Sequence, residues 1–211
     1  MRRTELIACT ALACILTGCG NRNPELQPTP SPSAVTELNI SNPVEINVLQ
    51  ETADMSGYQW LNDDDPAFYG ISLQESIRFF REGGTGIIVY SADTCPFCNR
   101  AIPLLNETLK EFGLKGYYVD TNMMIASDQA TSMKLYNELC SYISQIFEKD
   151  EDGEPVFQIP EVIAVKNGEI TGHHLSLLKS FTMTDKDAQL SDAQKEEMRE
   201  IYRGLIRSLA D

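Results

Sequence analysis

The sequence is poor in basic residues and has no apolar run near its start long enough to cross a bilayer. Lysine and arginine number 17 against 31 acidic residues, for a formal net charge of −14, and basic residues cluster only within the first three positions. A nucleic-acid binder needs clustered cations to neutralise phosphates, so this composition excludes nucleic acid as a partner. The early apolar stretch, residues 6–16, is shorter than the roughly 20 residues that a membrane-spanning helix needs.

A disulfide framework is also missing. Three of the six cysteines lie within the first 19 residues, and the other three are Cys95, Cys98 and Cys140. Three thiols cannot form the set of bridges that holds a small secreted scaffold together. A close pair of cysteines with one more elsewhere is instead typical of redox chemistry.

The first 19 residues have the pattern of a secretory signal peptide. Arg2 and Arg3 precede the apolar stretch, and Leu16-Thr17-Gly18-Cys19 follows it. These four residues resemble a bacterial lipobox, which implies cleavage before Cys19 and a diacylglyceryl group on its thiol. In the alternative, an ordinary secretory signal, Cys19 is incidental. We therefore expect a protein outside the cytoplasm, held at the cell membrane by its lipid.

Composition divides the chain into four segments. Residues 1–19 form the leader, and residues 20–37 carry prolines spaced by small polar residues, which predicts an extended, solvated tether. Residues 38–70 form an N-terminal extension, in which the sequence predicts only a strand over residues 44–49. Residues 71–211 carry the strong helix and strand signals of a folded domain.

The periodicity of this domain predicts the order helix, strand, helix, strand, helix, hairpin, helix. The third helix is predicted over roughly 127–149, and Asn167-Gly168 is a strong hairpin-turn signal. A right-handed crossover makes the first two strands parallel, and the hairpin adds an antiparallel pair. The predicted strands are 86–90, 117–119, 162–166 and 169–173. We therefore predict an α/β fold with a central mixed sheet flanked by helices and an extra helix before the hairpin.

The sequence Cys95-Pro96-Phe97-Cys98 follows a predicted strand and begins a predicted helix. Unpaired N–H groups and the helix dipole at that position stabilise a thiolate on Cys95, and the thiolate is the form that attacks a disulfide. The two-residue spacing lets Cys98 resolve the mixed disulfide. We assign catalysis to these two cysteines and substrate contact to Pro96 and Phe97, with no cofactor other than the redox-active disulfide.

Three further features resemble the thioredoxin-like superfamily. Pro103 lies five residues after Cys98, Ile159-Pro160 directly precedes the hairpin, and Asn167-Gly168 stands at the turn. The resemblance covers residues 72–211 and implies a thioredoxin-like fold. It also implies a cis peptide at Ile159–Pro160 and a substrate-binding edge formed by these two residues.

Within this resemblance, residues 72–120 are similar to the bacteriocin-transport-accessory-type thioredoxin-like lipoproteins of Gram-positive bacteria. That similarity implies a thiol–disulfide oxidoreductase that acts on protein thiols and disulfides and is recycled by a redox partner in the membrane. The direction of electron flow stays open, because reduction, oxidation and isomerisation use the same dithiol and differ in reduction potential and recycling partner.

Three positions depart from the superfamily pattern. Val89 replaces a buried acid, so proton exchange with Cys98 requires another route. Asp93 lies two residues before Cys95 and is expected to face solvent, where its charge opposes thiolate formation. Glu161 follows the proline where a small threonine is usual, which changes the expected substrate-facing edge.

Two other functions are compatible with the residues. Zinc accepts two cysteines at this spacing, with His173 or His174 as a further ligand. A redox-silent adaptor would keep the fold for binding alone. A count of free thiols and of bound metal separates these functions from disulfide exchange.

Two other residues, Cys140 and Arg100, are assigned structural or solvent-exposed positions and no part in catalysis. Cys140 shares a predicted helical stripe with Met133 and Ile143, which predicts a buried core thiol, with a regulatory disulfide to the active pair as the alternative. Arg100 is expected on an exposed face of the helix that follows the pair.

Overall fold

The computed structural model describes residues 38, 40–123 and 129–210. The leader and the tether, and with them Cys19, lie outside the described residues. The described residues all belong to one compact unit.

A five-stranded mixed sheet forms the centre of this unit. Its strands are β1 (Phe68–Gly70), β2 (Gly86–Ser91), β3 (Gly116–Asp120), β6 (Glu161–Lys166) and β7 (Glu169–Leu175), and a separate two-stranded ribbon comprises β4 (Glu148–Lys149) and β5 (Pro155–Val156). The order across the sheet is β1-β3-β2-β6-β7. The first three strands run parallel, and β6 and β7 are each antiparallel to the preceding neighbour.

Four helices cover the two faces of the sheet. They are α1 (Leu73–Arg81), α2 (Pro96–Glu111), α3 (Gln129–Ile143) and α4 (Asp192–Arg207). Helices α2 and α4 pack together over one core, and α1 and α3 pack together over the other. Cys98 belongs to the core beneath α2 and α4, so the site chemistry lies on that face.

Local signals place most element boundaries. Ser72 caps α1 by accepting a hydrogen bond from the Glu75 backbone N–H at 3.1 Å, and Ser191 and Gln194 form a reciprocal capping box at α4. Asn167 and Gly168 have φ angles of 52° and 81°, the left-handed pair that a tight hairpin turn needs.

The strand order, the helix α2 between parallel β2 and β3, and the terminal hairpin together make a thioredoxin-like fold. Helix α3 is inserted between β3 and β6, before the hairpin, as the sequence predicted. The mixed sheet flanked by helices is likewise confirmed.

The N-terminal extension takes part in the sheet in a way that the sequence did not predict. Its last residues form the edge strand β1, which pairs with β3. The strand predicted over residues 44–49 is wrong, because these residues belong to no strand, and the isolated bridge from Gln50 to Gly70 lies just beyond them. The backbone of this segment is held instead by a side chain, since the Glu75 carboxylate accepts hydrogen bonds from the Asn47 backbone and side-chain N–H groups, both at 3.0 Å.

Helix α3 is shorter than predicted and buries only part of its predicted apolar stripe. It ends at Ile143, and a 3₁₀ turn over Ser144–Ile146 follows. Leu139 and Ile143 are its fully buried residues, whereas Met133 is 50% exposed and Cys140 is only partly buried. The expectation that Cys140 lies in the core is therefore wrong. The apolar stripe was too broad for its centre to be read from periodicity alone.

Within the described ranges, every helix is too short or too polar to span a membrane.

Two glycines with left-handed backbones allow a matched test of the hairpin turn. Gly168 has φ +81°, and an added Cβ would lie 2.5 Å from the Phe80 carbonyl oxygen, whereas Gly153 has φ +85° and open space around it. We expect Gly153→Ala to lower the free energy of unfolding by ~1 kcal/mol, from the backbone conformation alone. Gly168→Ala should cost roughly 2 kcal/mol more, because the backbone must shift. Urea denaturation of both variants measures the difference, and equal losses would contradict packing of the turn against the end of α1.

Candidate active site

Cys95 is the N-cap residue of α2, and its thiol is partly exposed. Its Sγ accepts a hydrogen bond from the Cys98 backbone N–H at 3.2 Å. A hydrogen bond from the Cys98 side chain, together with the backbone N–H groups of Cys98 and Phe97, lowers the pKa of Cys95 to about 7. Near neutral pH a large fraction of Cys95 is therefore thiolate.

Cys98 lies one turn further along α2 and is completely buried. Burial raises the pKa of its thiol well above the ordinary value, and the hydrogen bond to Cys95 adds to the rise. The two sulfurs thus differ sharply in protonation although they belong to one helical turn. Only Cys95 is suited to begin an exchange.

The residues assigned to substrate contact lie around the Cys95 sulfur. The Ile159–Pro160 peptide is cis, as predicted, and the Ile159 carbonyl oxygen lies 3.7 Å from Cys95 Sγ. Phe97 is 39% exposed and Pro96 is exposed beside it, whereas Pro160 is buried. An extended chain that approaches Cys95 therefore meets two exposed side chains and a backbone carbonyl.

A cluster of three buried hydroxyl groups lies under the dithiol, and sequence reasoning missed it. The Tyr58 hydroxyl is 2.7 Å from the Ser91 hydroxyl and 3.2 Å from the Tyr118 hydroxyl. All three residues are at most 6% exposed. Period-2 alternation along β2 puts Ser91 on the same face as Val89, which was a usable signal, but nothing local pointed to Tyr58.

Arg100 is 3% exposed, so the expectation of a solvent-facing side chain is wrong. Its guanidinium donates to the carbonyl oxygens of Pro96 at 2.6 Å, Lys186 at 2.8 Å and Ala188 at 2.5 Å. The Trp60 ring covers it, with 4.5 Å between the guanidinium carbon and the ring centroid. The face of α2 that the sequence left open is covered by the extension and by the segment before α4.

Asn99 fixes the loop that carries Cys95. Its amide nitrogen donates to the carbonyl oxygens of Asp93 at 2.5 Å and Cys95 at 3.0 Å. Its side-chain oxygen accepts a hydrogen bond from the Gln59 backbone N–H at 2.6 Å. One buried side chain thus ties the start of α2 to the N-terminal extension.

Asp93 does not simply face solvent, as expected, but packs against the extension. It is partly buried, and a Cβ added to Gly57 would lie 2.0 Å from its carboxylate oxygen. The carboxylate accepts a hydrogen bond from the Asn122 side chain at 3.0 Å. Only a glycine at position 57 allows this close approach.

Glu161 is 1% exposed and therefore does not extend the substrate-facing edge. Burial, and then the charge of Glu148, raise the pKa of Glu161 to about 8, and burial lowers the pKa of His173. Glu161 Oε1 and His173 Nδ1 lie 3.0 Å apart, within hydrogen-bonding distance.

The two histidines proposed as alternative zinc ligands have other neighbours. His173 contacts Glu161, and the His174 ring packs against Tyr202 with 6.0 Å between the centroids. In the part of the chain that the structure describes, no three His, Cys, Asp or Glu residues are grouped so as to hold a metal ion. The zinc alternative therefore lacks a ligand set among these residues.

The pKa of Cys95 predicts how its alkylation depends on pH. The rate of reaction with iodoacetamide should rise with pH through a midpoint near 7, because only the thiolate reacts. Cys98→Ala should raise that midpoint, since it removes the side-chain hydrogen bond that lowers the Cys95 pKa most, and Cys98→Ser should raise it less. Peptide mass spectrometry isolates the Cys95 signal. A wild-type midpoint at the ordinary 9.0, or one midpoint for both variants, would contradict the assignment.

No protein-family model matches the chain, and no curated protein matches it. Among solved structures, the chain is similar to a thioredoxin from Aeropyrum pernix, with 20% sequence identity and a TM-score of 0.34. The similarity covers 63% of this chain and 85% of that one. The strand order β1-β3-β2-β6-β7 and the place of the dithiol at the start of α2 are themselves thioredoxin-like.

Proposed function

We propose that the chain is a thiol–disulfide oxidoreductase that exchanges disulfides with protein substrates outside the cytoplasm. The observation that supports this proposal most directly is the difference between Cys95 and Cys98 in solvent exposure and in thiol pKa. One thiol is partly exposed with a pKa of about 7, and the other is fully buried and protonated directly beside it.

This difference between the two thiols supports a two-step exchange. The Cys95 thiolate attacks one sulfur of a substrate disulfide, and the other substrate sulfur leaves as a thiolate. Cys98 then loses its proton and attacks Cys95 Sγ, which releases the second substrate sulfur. The substrate gains two electrons, and the Cys95–Cys98 pair loses two and becomes a disulfide. The reverse sequence oxidises a substrate dithiol, and the reduction potential of the pair together with the recycling partner sets the direction.

Features around Cys95 support an extended protein segment as the substrate. The Ile159 carbonyl oxygen near Cys95 Sγ can accept a backbone N–H from such a segment, and the exposed Phe97 ring offers it an apolar contact. Both contacts suit many sequences, so they favour a broad class of protein thiols and disulfides over one small molecule.

The narrower proposal is a lipoprotein similar to the bacteriocin-transport-accessory type. The lipobox-like residues before Cys19 and the polar, proline-rich residues 20–37 support a lipid anchor and a tether. Such an anchor would keep the dithiol close to the membrane, where a membrane redox partner would recycle it.

Trapping of substrates tests the roles of the two cysteines. Cys98→Ser should accumulate mixed disulfides, because Cys95 still attacks but nothing resolves the product. Cys95→Ser is the matched control and should accumulate almost none, because the buried, protonated Cys98 cannot begin the exchange. Non-reducing gels of acid-quenched cells show both outcomes. Trapping by Cys95→Ser alone would reverse the roles of the attacking and the resolving cysteine. Equal trapping by the two variants would contradict any division of roles between them.

The anchor is tested separately. Cys19→Ala should release the protein from membranes or block its processing, while the exchange chemistry of the domain stays intact. Cys14→Ala, a change in the same leader, should leave membrane attachment unaltered. Membrane fractionation and lipid analysis measure how much of each variant is membrane-bound and carries lipid. A Cys19→Ala protein that is still membrane-bound and lipid-bearing would rule out Cys19 as the anchor.

A further inference from the structure

The proposed exchange leaves one proton without a route. Cys98 must lose its proton when it attacks the mixed disulfide, yet its sulfur is completely buried. The superfamily position for a buried acid holds Val89, which neither accepts nor donates a proton. A route from Cys98 to water must therefore be made of other groups.

The buried hydroxyl cluster begins at Cys98. The Ser91 hydroxyl adjoins the Cys98 thiol and opposes the rise in the pKa of Cys98 that burial causes. The Ser91 and Tyr58 hydroxyls lie 2.7 Å apart, and the Tyr58 and Tyr118 hydroxyls lie 3.2 Å apart. Each hydroxyl can both donate and accept, so the three form a continuous hydrogen-bonded chain.

The far end of this chain reaches a cavity. Tyr118 lines a cavity of about 690 Å³ together with Asp93 and Asp120. Leu49 and Met123 also line it and are 69% and 77% exposed, so the cavity is open to solvent. The cavity therefore brings solvent to the end of the hydroxyl chain.

We infer that the hydroxyl groups of Ser91, Tyr58 and Tyr118 form a relay that carries the Cys98 proton to this cavity, in place of a buried carboxylate. This inference rests on the proposed function. As Cys98 attacks Cys95 Sγ, its proton passes to the Ser91 oxygen, and Ser91 gives its own proton to Tyr58. In the same step Tyr58 gives its proton to Tyr118, and Tyr118 gives one to water in the cavity. One proton leaves Cys98 and one reaches solvent, and every hydroxyl ends neutral.

The charged and titratable groups around the relay agree with this role. Cys98 faces the phenols of Tyr58, Tyr118 and Tyr202, and Tyr118 also faces Asp93 and Asp120. Burial raises the pKa values of Tyr58 and Tyr118 far above neutrality, and the neighbouring carboxylates raise that of Tyr118 further. The phenols therefore stay neutral and pass protons on without holding a charge.

Tyr202 provides a matched control on the same face of the sheet. It is completely buried and electrostatically close to Cys98. Its hydroxyl has no hydrogen-bond partner among the described residues, so it cannot pass a proton on to another of them. Tyr202→Phe removes the same atom from the same core without touching the chain of hydroxyls.

The two steps of exchange can be timed separately with 5,5′-dithiobis(2-nitrobenzoate). In the full chain, with every cysteine except Cys95 and Cys98 replaced by serine, attack by Cys95 releases one nitrothiobenzoate and resolution by Cys98 releases the second. Stopped-flow absorbance between pH 5 and 10 follows both. Tyr58→Phe and Tyr118→Phe should slow the second release roughly 10- to 100-fold at pH 7 and move its pH profile upward. The first release should stay unchanged, and Tyr202→Phe should leave both releases as in the parent.

The results distinguish a failure of the proposed relay from a failure of the proposed disulfide exchange. A parent protein with no second release overturns the exchange itself and the relay with it. Two outcomes with a normal parent would overturn only the relay. In the first, Tyr58→Phe and Tyr118→Phe leave the pH profile of the second release unshifted. In the second, Tyr202→Phe is the only variant that slows the second release. A proton inventory of the second release in the parent needs no substitution. Mixtures of H2O and D2O should give a curved plot, because several protons move together, and a linear plot overturns the relay.

Discussion

The unequal solvation of two sulfurs within one helical turn is the constraint on which the site depends. The start of α2 holds Cys95 where its sulfur accepts the Cys98 N–H, and the same turn carries Cys98 into the core. Cys95 can therefore exchange a proton with water directly, whereas Cys98 cannot. In the proposed exchange, this difference makes Cys95 the attacking thiol and Cys98 the resolving thiol, whose proton then needs a route beneath the dithiol.

The N-terminal extension contributes more to the site than its weak sequence pattern suggests. Tyr58 supplies the central hydroxyl beneath Cys98, and Trp60 covers the guanidinium of Arg100. The backbone at Gln59 is bound by Asn99, one residue beyond the dithiol. The segment that a sequence-based division placed outside the folded domain thus forms one wall of its candidate active site.

The sequence by itself determined the features that depend on local spacing. A capped helix after an apolar strand puts Cys95 at a helix N-terminus, and Asn167-Gly168 forces a tight turn, because helix starts and two-residue turns are defined within a few residues. The alternation of helices and strands then leaves few ways to build a mixed sheet. The thioredoxin-like fold and the dithiol were predictable for these reasons, whereas the cis peptide before β6 was implied by the resemblance of Ile159-Pro160 to the superfamily pattern.

Only the tertiary structure decided which distant residues meet at the site. Tyr58 contacts Ser91 and Tyr118, 33 and 60 positions away, and Arg100 binds carbonyl groups more than 80 positions away. Periodicity shows that a helix has an apolar stripe, but not which part of that stripe a neighbour will cover, and so it misplaced Cys140 and Arg100. Burial is a property of the packed assembly of elements, and no single segment of the chain contains the information that sets it.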